Sequence, residues 1–384
     1  MKTGVEANLR EEQYGFRGGR STTDAIFTIR QVMERKWEGG KEVHLTFLDL
    51  EKAYDRLPRE RVWASLKKKG VERGLRDRIM CTYENSESCV QTQLGKSRWF
   101  QVKEGLRQGS VLSPSLFVIV MDEILRRVEP NEDGDTRTLV YADDVVVWGD
   151  SSAEVQSKID RWSEITEEFG LKISVEKSES LIMEKKLDKK RGKIRLKDKE
   201  LEEKVEFKYL GSILSKDAKV TREVEARVSK AEGFYQSVRK LLWNKDFPTC
   251  CKLAMYKAYF VPILTYGAVT WAIGGKEESK LQAAEMKFLR SIKGVTKLDK
   301  LRSAEIRKEL GVERLTFKLG RDRLRWFGHM KRMGVSRIPR REFEEAGSMK
   351  RRVGRPRVKW CAVIKEDVEE RGLAWDQVNS DRQW

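Results

Sequence analysis

The chain has 384 residues and carries 79 Lys and Arg against 61 Asp and Glu, a formal net charge of +18. That length can bury a substantial core in two or three lobes, and the surplus of cations suits a polyanionic partner. Five cysteines (Cys81, Cys89, Cys250, Cys251 and Cys361) form no C-x-x-C pair and only His44 and His329 accompany them, which leaves a zinc finger or knuckle unsupported, while an odd count without a signal-like N-terminus points to reduced thiols in the nucleus or cytoplasm.

In chain order, Thr22 or Thr23 caps a helix running to about Trp37, before Gly39-Gly40. Residues 41–50 form an apolar strand that ends in Asp49 and runs into a turn and a short helical start at Glu51–Pro58. Helices follow from Arg59 and Leu75, then strands near Ser88–Leu94 and Arg98–Val102. The loop from Glu104 to Pro114 brackets Arg107 and Gln108 with Gly105 and Gly109, where glycines let backbone approach a ligand closely. Ser113 is the candidate N-cap of the next helix, with Pro114 at its first position, running to about Arg127. Strand, tight turn and strand span 138–148, a helix spans 153–169, and a strand after Gly170 carries Lys172 and Lys177. Charged residues 184–206 suggest an exposed hairpin or linker. From Asp217 to Val295 the pattern is helical, with Pro248 between two long helices. Residues 258–275 are uncharged for eighteen residues, but Pro262, Thr265, Tyr266 and several glycines dilute their apolarity, so a buried helix ending at Tyr266-Gly267 is preferred to a membrane span.

The chemistry concentrates at Tyr141-Ala142-Asp143-Asp144, held between two β-branched apolar runs. Adjacent carboxylates repel and raise one another's pKa unless a cation neutralises them, and Mg²⁺ is the cation suited to hard oxygen ligands. The bland alternative is a hairpin that carries Asp-Asp at its tip. Asp49, at the end of another apolar strand, would complete the ligands of a two-metal phosphoryl-transfer site if its strand pairs with the hairpin.

Residues 301–360 hold 19 Lys and Arg against 7 Asp and Glu, a one-sided excess that a solvated helix does not explain. Within it, Gly354-Arg355-Pro356-Arg357 is either an AT-hook-like core or an ordinary basic turn ahead of a helix at Trp360. Trp326, Phe327 and Trp360 are packing candidates, with stacking on bases as the alternative.

Taken in order, these blocks resemble the reverse transcriptase of non-LTR (LINE-type) retrotransposons: Gln13-Tyr-Gly-Phe-Arg-Gly-Gly-Arg20 in the fingers, Phe47 to Asp55, the Gly105 loop, Tyr141 to Asp144, the Lys177 strand and Phe207-Lys-Tyr-Leu-Gly-Ser212. The likeness extends to Val261–Gly267 and to Arg323–Met330. It implies an α+β fold of right-hand polymerase type: partial fingers at 1–40, an antiparallel-sheet palm at 41–182, a charged hairpin and primer grip at 183–216, an all-α thumb at 217–295 and a basic helical nucleic-acid-binding tail at 296–384. It implies Asp49, Asp143 and Asp144 as catalytic metal ligands for Mg²⁺, with Mn²⁺ as a substitute. Tyr54 would stand against the incoming sugar to exclude a 2′-hydroxyl, or else simply pack. Arg107, Gln108 and Gly109 would line the nucleotide pocket. Lys177 would lie near the triphosphate, or else be a solvated strand lysine. Arg17, Tyr209, Leu210, Gly211, Arg355 and Arg357 would touch primer or template. The implied partners are an RNA template, a DNA primer or target DNA, and dNTP.

Departures from the pattern accompany it. Further fingers strands and an endonuclease usually precede the Gly-Phe-Arg element, the family's usual Asn in the Lys177 strand is Ser174, and the chain reads as the C-terminal portion of a polyprotein. Two readings follow: an RNA-directed DNA polymerase, or a catalytically silent relative that binds nucleic acid without polymerising.

Overall fold

The computed structural model describes residues 8–130, 137–183, 192–346 and 358–375. The chain divides into two compact units, one made of residues up to Ala25 with Gly40–Val205, the other of Ile26–Gly39 with Glu206 onward. The helix α1, Thr22–Gly39, therefore begins in the first unit and belongs from Ile26 to the second, so the stretch 1–40 is not a body of its own. Its first turn is closed by Ser21, whose Oγ accepts from the Asp24 N–H at 3.2 Å, rather than by Thr22 or Thr23.

The first unit is built on a five-stranded sheet. Its strands are β1 (Val43–Leu50), β2 (Thr138–Tyr141), β3 (Asp144–Gly149), β4 (Ile173–Met183) and β5 (Glu202–Glu203), in the spatial order β5-β4-β1-β3-β2. All pairs are antiparallel except β5 with β4. β1 and β3 are buried almost throughout, which is why they read as continuous apolar runs instead of alternating ones. Short helices α2 (Ala53–Arg56), α3 (Arg59–Lys68) and α4 (Arg73–Tyr83) follow β1. The helix α5, Ser113–Val128, packs into the same core through Leu116, Phe117, Val120 and Ile124, each such side chain contributing roughly 1.5–3 kcal/mol on burial. α6, Ser152–Glu168, is capped by Ser151, whose Oγ accepts from the Glu154 N–H. The strands expected near 88–94 and 98–102 are four two-residue segments at 87–88, 91–92, 95–96 and 100–101.

Ser113 is not the N-cap of α5. Leu112 takes that position, and the Ser113 hydroxyl instead donates to the Arg107 carbonyl at 2.6 Å and meets the Tyr83 hydroxyl at 3.1 Å. The segment from Leu9 to Gly15, assigned by resemblance to the fingers, lies on the sheet. Tyr14 N–H donates to Val140 O at 2.8 Å and Val140 N–H to Glu12 O at 2.9 Å. Asp122, fully buried on α5, holds this segment by accepting from the Arg10 backbone N–H at 2.6 Å, and pairs with Lys69 and Arg126.

The second unit opens with the hairpin β6 (Glu206–Tyr209) and β7 (Ser212–Ser215), joined by Leu210 and Gly211 at φ of 45° and 81°, the left-handed pair that a two-residue hairpin turn needs. Helix α7 (Thr221–Trp243) packs against α10 (Gly275–Lys293). Between them α8 (Thr249–Met255) passes through a π turn at Tyr256–Phe260 into α9 (Val261–Thr265). Pro262 sits at the start of α9 and has no N–H to continue the regular ladder, and π bonding in the preceding turn is one way to accommodate this. The helical part of the uncharged stretch thus ends just before Tyr266. Among the described residues no helix is long and apolar enough to cross a membrane.

The expected tail is part of this unit's core. Ile306, Leu310, Leu315 and Leu319, from α11 (Ser303–Leu310) and α12 (Leu315–Lys331), join the same apolar cluster as α7 and α10. A second cluster joins Phe27 of α1 to Phe327 and to Trp360 and Ile364, with α13 (Ile338–Ala346) beside it and α14 (Trp360–Glu369) contributing the last two. Trp326, Phe327 and Trp360 are packing residues, with Phe27–Trp326 and Phe27–Trp360 ring centroids 4.3 and 4.7 Å apart.

Candidate active site

β1 and β3 pair in a register that sets Asp49 directly opposite Asp144, so the two carboxylates leave neighbouring strands side by side. Asp143 stands in the connecting turn, whose tightness puts Ala142 at a φ of 59°. Gly15 lies against this turn: a Cβ there would fall 2.3 Å from the Ala142 nitrogen, so only glycine allows the close approach. The Asp49 N–H donates to Ser178 Oγ at 3.2 Å across a bulge in the β1–β4 ladder. From the same strand β4, the Lys177 ammonium comes within 3.5 Å of Asp49 Oδ2.

The electrostatics are those of crowded carboxylates. Asp144 is pushed up to about 6, first by desolvation and then by Asp143 and Asp49. Asp143 is raised as well, by desolvation above all and further by Asp49, with Lys177 opposing. Asp49 Oδ2 is buried and accepts no hydrogen bond; Lys177 is its nearby charge, not a hydrogen-bond donor. Among the described residues no group of three or more His, Cys, Asp or Glu side chains is gathered closely enough to hold a metal ion by itself. Mg²⁺ does not require that: it is commonly held by one or two carboxylates together with substrate phosphates and water. A hard-oxygen donor set with a carboxylate oxygen lacking any donor fits such an ion.

The turn after Asp49 and the glycine loop are joined as one piece. Leu106 N–H donates to Tyr54 O at 2.7 Å, Gly105 N–H to Leu57 O at 3.0 Å, and Arg59 Nε to Gly105 O at 3.1 Å. Gly105 has a φ of +78°, and a Cβ on it would lie 2.5 Å from the Asp55 carbonyl oxygen. The Tyr54 ring stacks on Phe117 with centroids 4.5 Å apart. Its hydroxyl is buried without a hydrogen-bond partner and is raised to about 12, by desolvation above all and by Asp143. Exposed Gln108 donates its amide to Asp55 Oδ1 at 2.9 Å. Arg107 turns back instead, donating to Ser86 Oγ at 2.9 Å and lying over the Tyr83 ring. Gly109 has a φ of +85° and open space where a Cβ would point.

The remaining residues expected at the nucleic acid have other surroundings. The Arg17 guanidinium, expected at primer or template, donates to the carbonyls of Arg10, Gln13 and Leu9 and so pins its own segment. Tyr209, expected at primer or template, is buried at the end of β6. Leu210 and Gly211 stay partly exposed at the tip, where Tyr266 donates to Leu210 O at 2.8 Å and Arg227 to Gly211 O. Arg355 and Arg357 lie outside the described residues. Sequence reasoning missed Ser178, Asp55 and the close approach of Gly15; the glycine itself was a signal, whereas the two polar side chains had none.

The family profile described as "Reverse transcriptase (RNA-dependent DNA polymerase)" matches residues 2–214, more than half of the chain. The chain is 32 % identical over 148 residues to the "Retrovirus-related Pol polyprotein from type-1 retrotransposable element R2" of Nasonia vitripennis, covering 37 % of this chain and 14 % of that protein. It is 23 % identical over 320 residues to the "RNA-directed DNA polymerase from mobile element jockey" of Drosophila melanogaster, covering 80 % of this chain and 34 % of that one. The chain thus spans about a third or less of the length of these curated relatives. A solved telomerase from Candida albicans, in complex with a fragment of telomeric RNA, aligns over 95 % of this chain and 57 % of its own at 9 % identity and a TM-score of 0.48. On the extent of the profile match, the chain belongs to the reverse transcriptase family, and the relatives named above are retrotransposon proteins.

Proposed function

We propose that the first unit carries an RNA-directed DNA polymerase active site, which joins a deoxynucleotide to a primer 3′-hydroxyl on an RNA template. The observation that supports this most directly is the register of Asp49 against Asp144 beside the Asp143 turn. Asp49 and Asp143, with Asp144 adjacent, would hold Mg²⁺, or Mn²⁺ in its place. Bound there, such ions supply Lewis acidity toward the attacking hydroxyl and the leaving pyrophosphate. Tyr54, backed by Phe117, would bar a 2′-hydroxyl. Gln108 and Gly109 would line the base and sugar pocket, with Asp55 holding the Gln108 amide. Lys177 is within reach of the carboxylates and would touch the triphosphate and return a proton to the pyrophosphate oxygen. In the second unit, the exposed tip at Leu210 and Gly211 is the candidate primer-binding point, and the surface cations of α11 and α12 are the candidates for holding template or target DNA.

Primer extension on poly(rA)/oligo(dT) with dTTP and Mg²⁺ tests this reading. Incorporation is expected for the full chain, and Asp143→Asn should abolish it while leaving hybrid binding nearly unchanged, because the basic surface is untouched. The second reading is binding without polymerisation, in which Lys177, 3.5 Å from Asp49, would neutralise the carboxylates in place of a metal ion. Tight hybrid binding with no incorporation in either Mg²⁺ or Mn²⁺ would decide for it.

A further inference from the structure

Beyond α4 the first unit carries a narrow ribbon that the proposed active site does not use. Glu87–Ser88 pairs with Phe100–Gln101 and Gln91–Thr92 with Gly95–Lys96. Its apolar side chains point to solvent: Leu94 at the tip is fully exposed, Trp99 is 65 % exposed and Phe100 48 %. Neither of these two rings stacks on another aromatic among the described residues, and Lys96, Arg98 and Lys103 have no carboxylate partner there. Several cations elsewhere in the unit are paired, as Lys68 with Glu123, Lys69 and Arg126 with Asp122, and Arg137 with Glu154. Exposed rings gathered on one short ribbon mark an interaction surface, and the unpaired cations beside them suit a polyanion.

We propose that this ribbon is a binding platform for an unpaired nucleic-acid strand, with bases stacked on Trp99 and Phe100 and phosphates on Lys96, Arg98 and Lys103. Aromatic stacking accepts any base because every base has a π-face, and it needs an unpaired strand whose base faces are open. Charge selects this occupant over a second copy of the chain. Self-association through the ribbon would bring the three cations against the same three, with Glu87 alone to offset them. The foot of the ribbon is tied to the nucleotide loop: Val102 N–H donates to Ser86 O at 2.8 Å, and Arg107 to Ser86 Oγ. A strand held on the ribbon is therefore linked through Ser86 and Arg107 to the loop that carries Gln108.

The test is binding of the full chain to a fluorescent single-stranded oligo(U), a matching oligo(dT) and a blunt duplex. Trp99→Ala/Phe100→Ala should weaken single-strand binding about tenfold or more and leave blunt-duplex binding unchanged, with Trp99→Phe/Phe100→Tyr restoring most of it and Trp99→Leu/Phe100→Leu failing to. Lys96→Ala/Arg98→Ala/Lys103→Ala should reduce the log–log salt slope by about 2, at roughly 0.7 for each phosphate that is no longer neutralised. A 4-thiouridine oligonucleotide should crosslink to the 87–103 peptide. Equal losses for oligo(U) and oligo(dT), or a larger loss for oligo(U), both support the platform and differ only in sugar preference. Unchanged single-strand affinity in the double alanine variant overturns it, as does rescue by leucine. A change confined to sedimentation behaviour would likewise overturn it, in favour of a self-association surface.

Discussion

At the scale of single residues, two partly buried side chains carry measurable consequences. Glu34 in α1 accepts from the backbone N–H of Trp360 at 3.1 Å, capping α14 from a distant part of the chain. Burial pushes its carboxyl up to about 7, with Glu38 adding to the rise and the Trp360 N–H and Lys359 opposing it. Because the folded value lies above the unfolded one, the folded state holds the proton more tightly, and stability falls as pH rises from about 4.5 to about 7. The penalty above that range is on the order of 3 kcal/mol. Glu34→Gln keeps an acceptor and removes the charge, so its melting temperature should exceed that of the parent at pH 8 and match it near pH 4.5. An equal shift at both pH values would mean that the charge is not the cause. Tyr54 is the second case. If its ring bars the 2′-hydroxyl, Tyr54→Ala should raise the ratio of ribonucleotide to deoxynucleotide incorporation at least about tenfold, roughly 1.4 kcal/mol of discrimination. An unchanged ratio would reduce the ring to a packing partner of Phe117.

At the scale of elements, the carboxylate turn depends on a segment far from it in sequence. Gly15 leaves no room for a Cβ against the Ala142 backbone. Gly15→Ala must therefore move either the edge segment or the turn, at a cost of about 1–3 kcal/mol, as for other overpacked sites. Primer extension should fall more steeply than thermal stability, because Asp143 and Asp144 move with the turn. A variant that loses stability but retains full incorporation per folded molecule would show that the turn does not shift. The existence of the main strands and helices was legible from apolar runs and from Gly and Pro punctuation, because those signals are local. The caps were not: Ser21 rather than Thr22 or Thr23, and a Ser113 hydroxyl turned to the Arg107 carbonyl, reflect competition among several nearby hydroxyls that only packed geometry resolves.

At the scale of the whole molecule, many of the described cations in residues 301–346 sit on helices whose apolar faces are core. Glu285 is buried and receives Tyr256 and Arg307, so deleting everything after Leu301 would expose that core and strand a buried carboxylate. Point substitutions at exposed positions are the informative experiment. Arg302→Ala/Lys308→Ala/Arg314→Ala should flatten the salt dependence of RNA–DNA hybrid binding by about 0.7–0.9 for each phosphate that these cations neutralise, without altering the melting temperature by more than a degree or two. An unchanged slope would make these cations an ordinary solvated surface.

The sequence by itself determined the family and singled out the candidate carboxylates and lysine of the site. Asp49, Asp143, Asp144 and Lys177 lie on or beside strands whose apolar patterns are unambiguous, and the order of the blocks along the chain is one-dimensional information. Tertiary structure alone decided what each polar side chain spends its hydrogen bonds on. It set Asp49 opposite Asp144 and turned Arg17 onto its own backbone. It also buried Tyr209 and joined the basic tail to the helical core. The physical reason is range: apolar periodicity and turn chemistry act over a few residues, whereas register, burial and pairing are set by neighbours that can be a hundred or more residues away, as Asp49 is from Ser178 and Arg10 from Asp122.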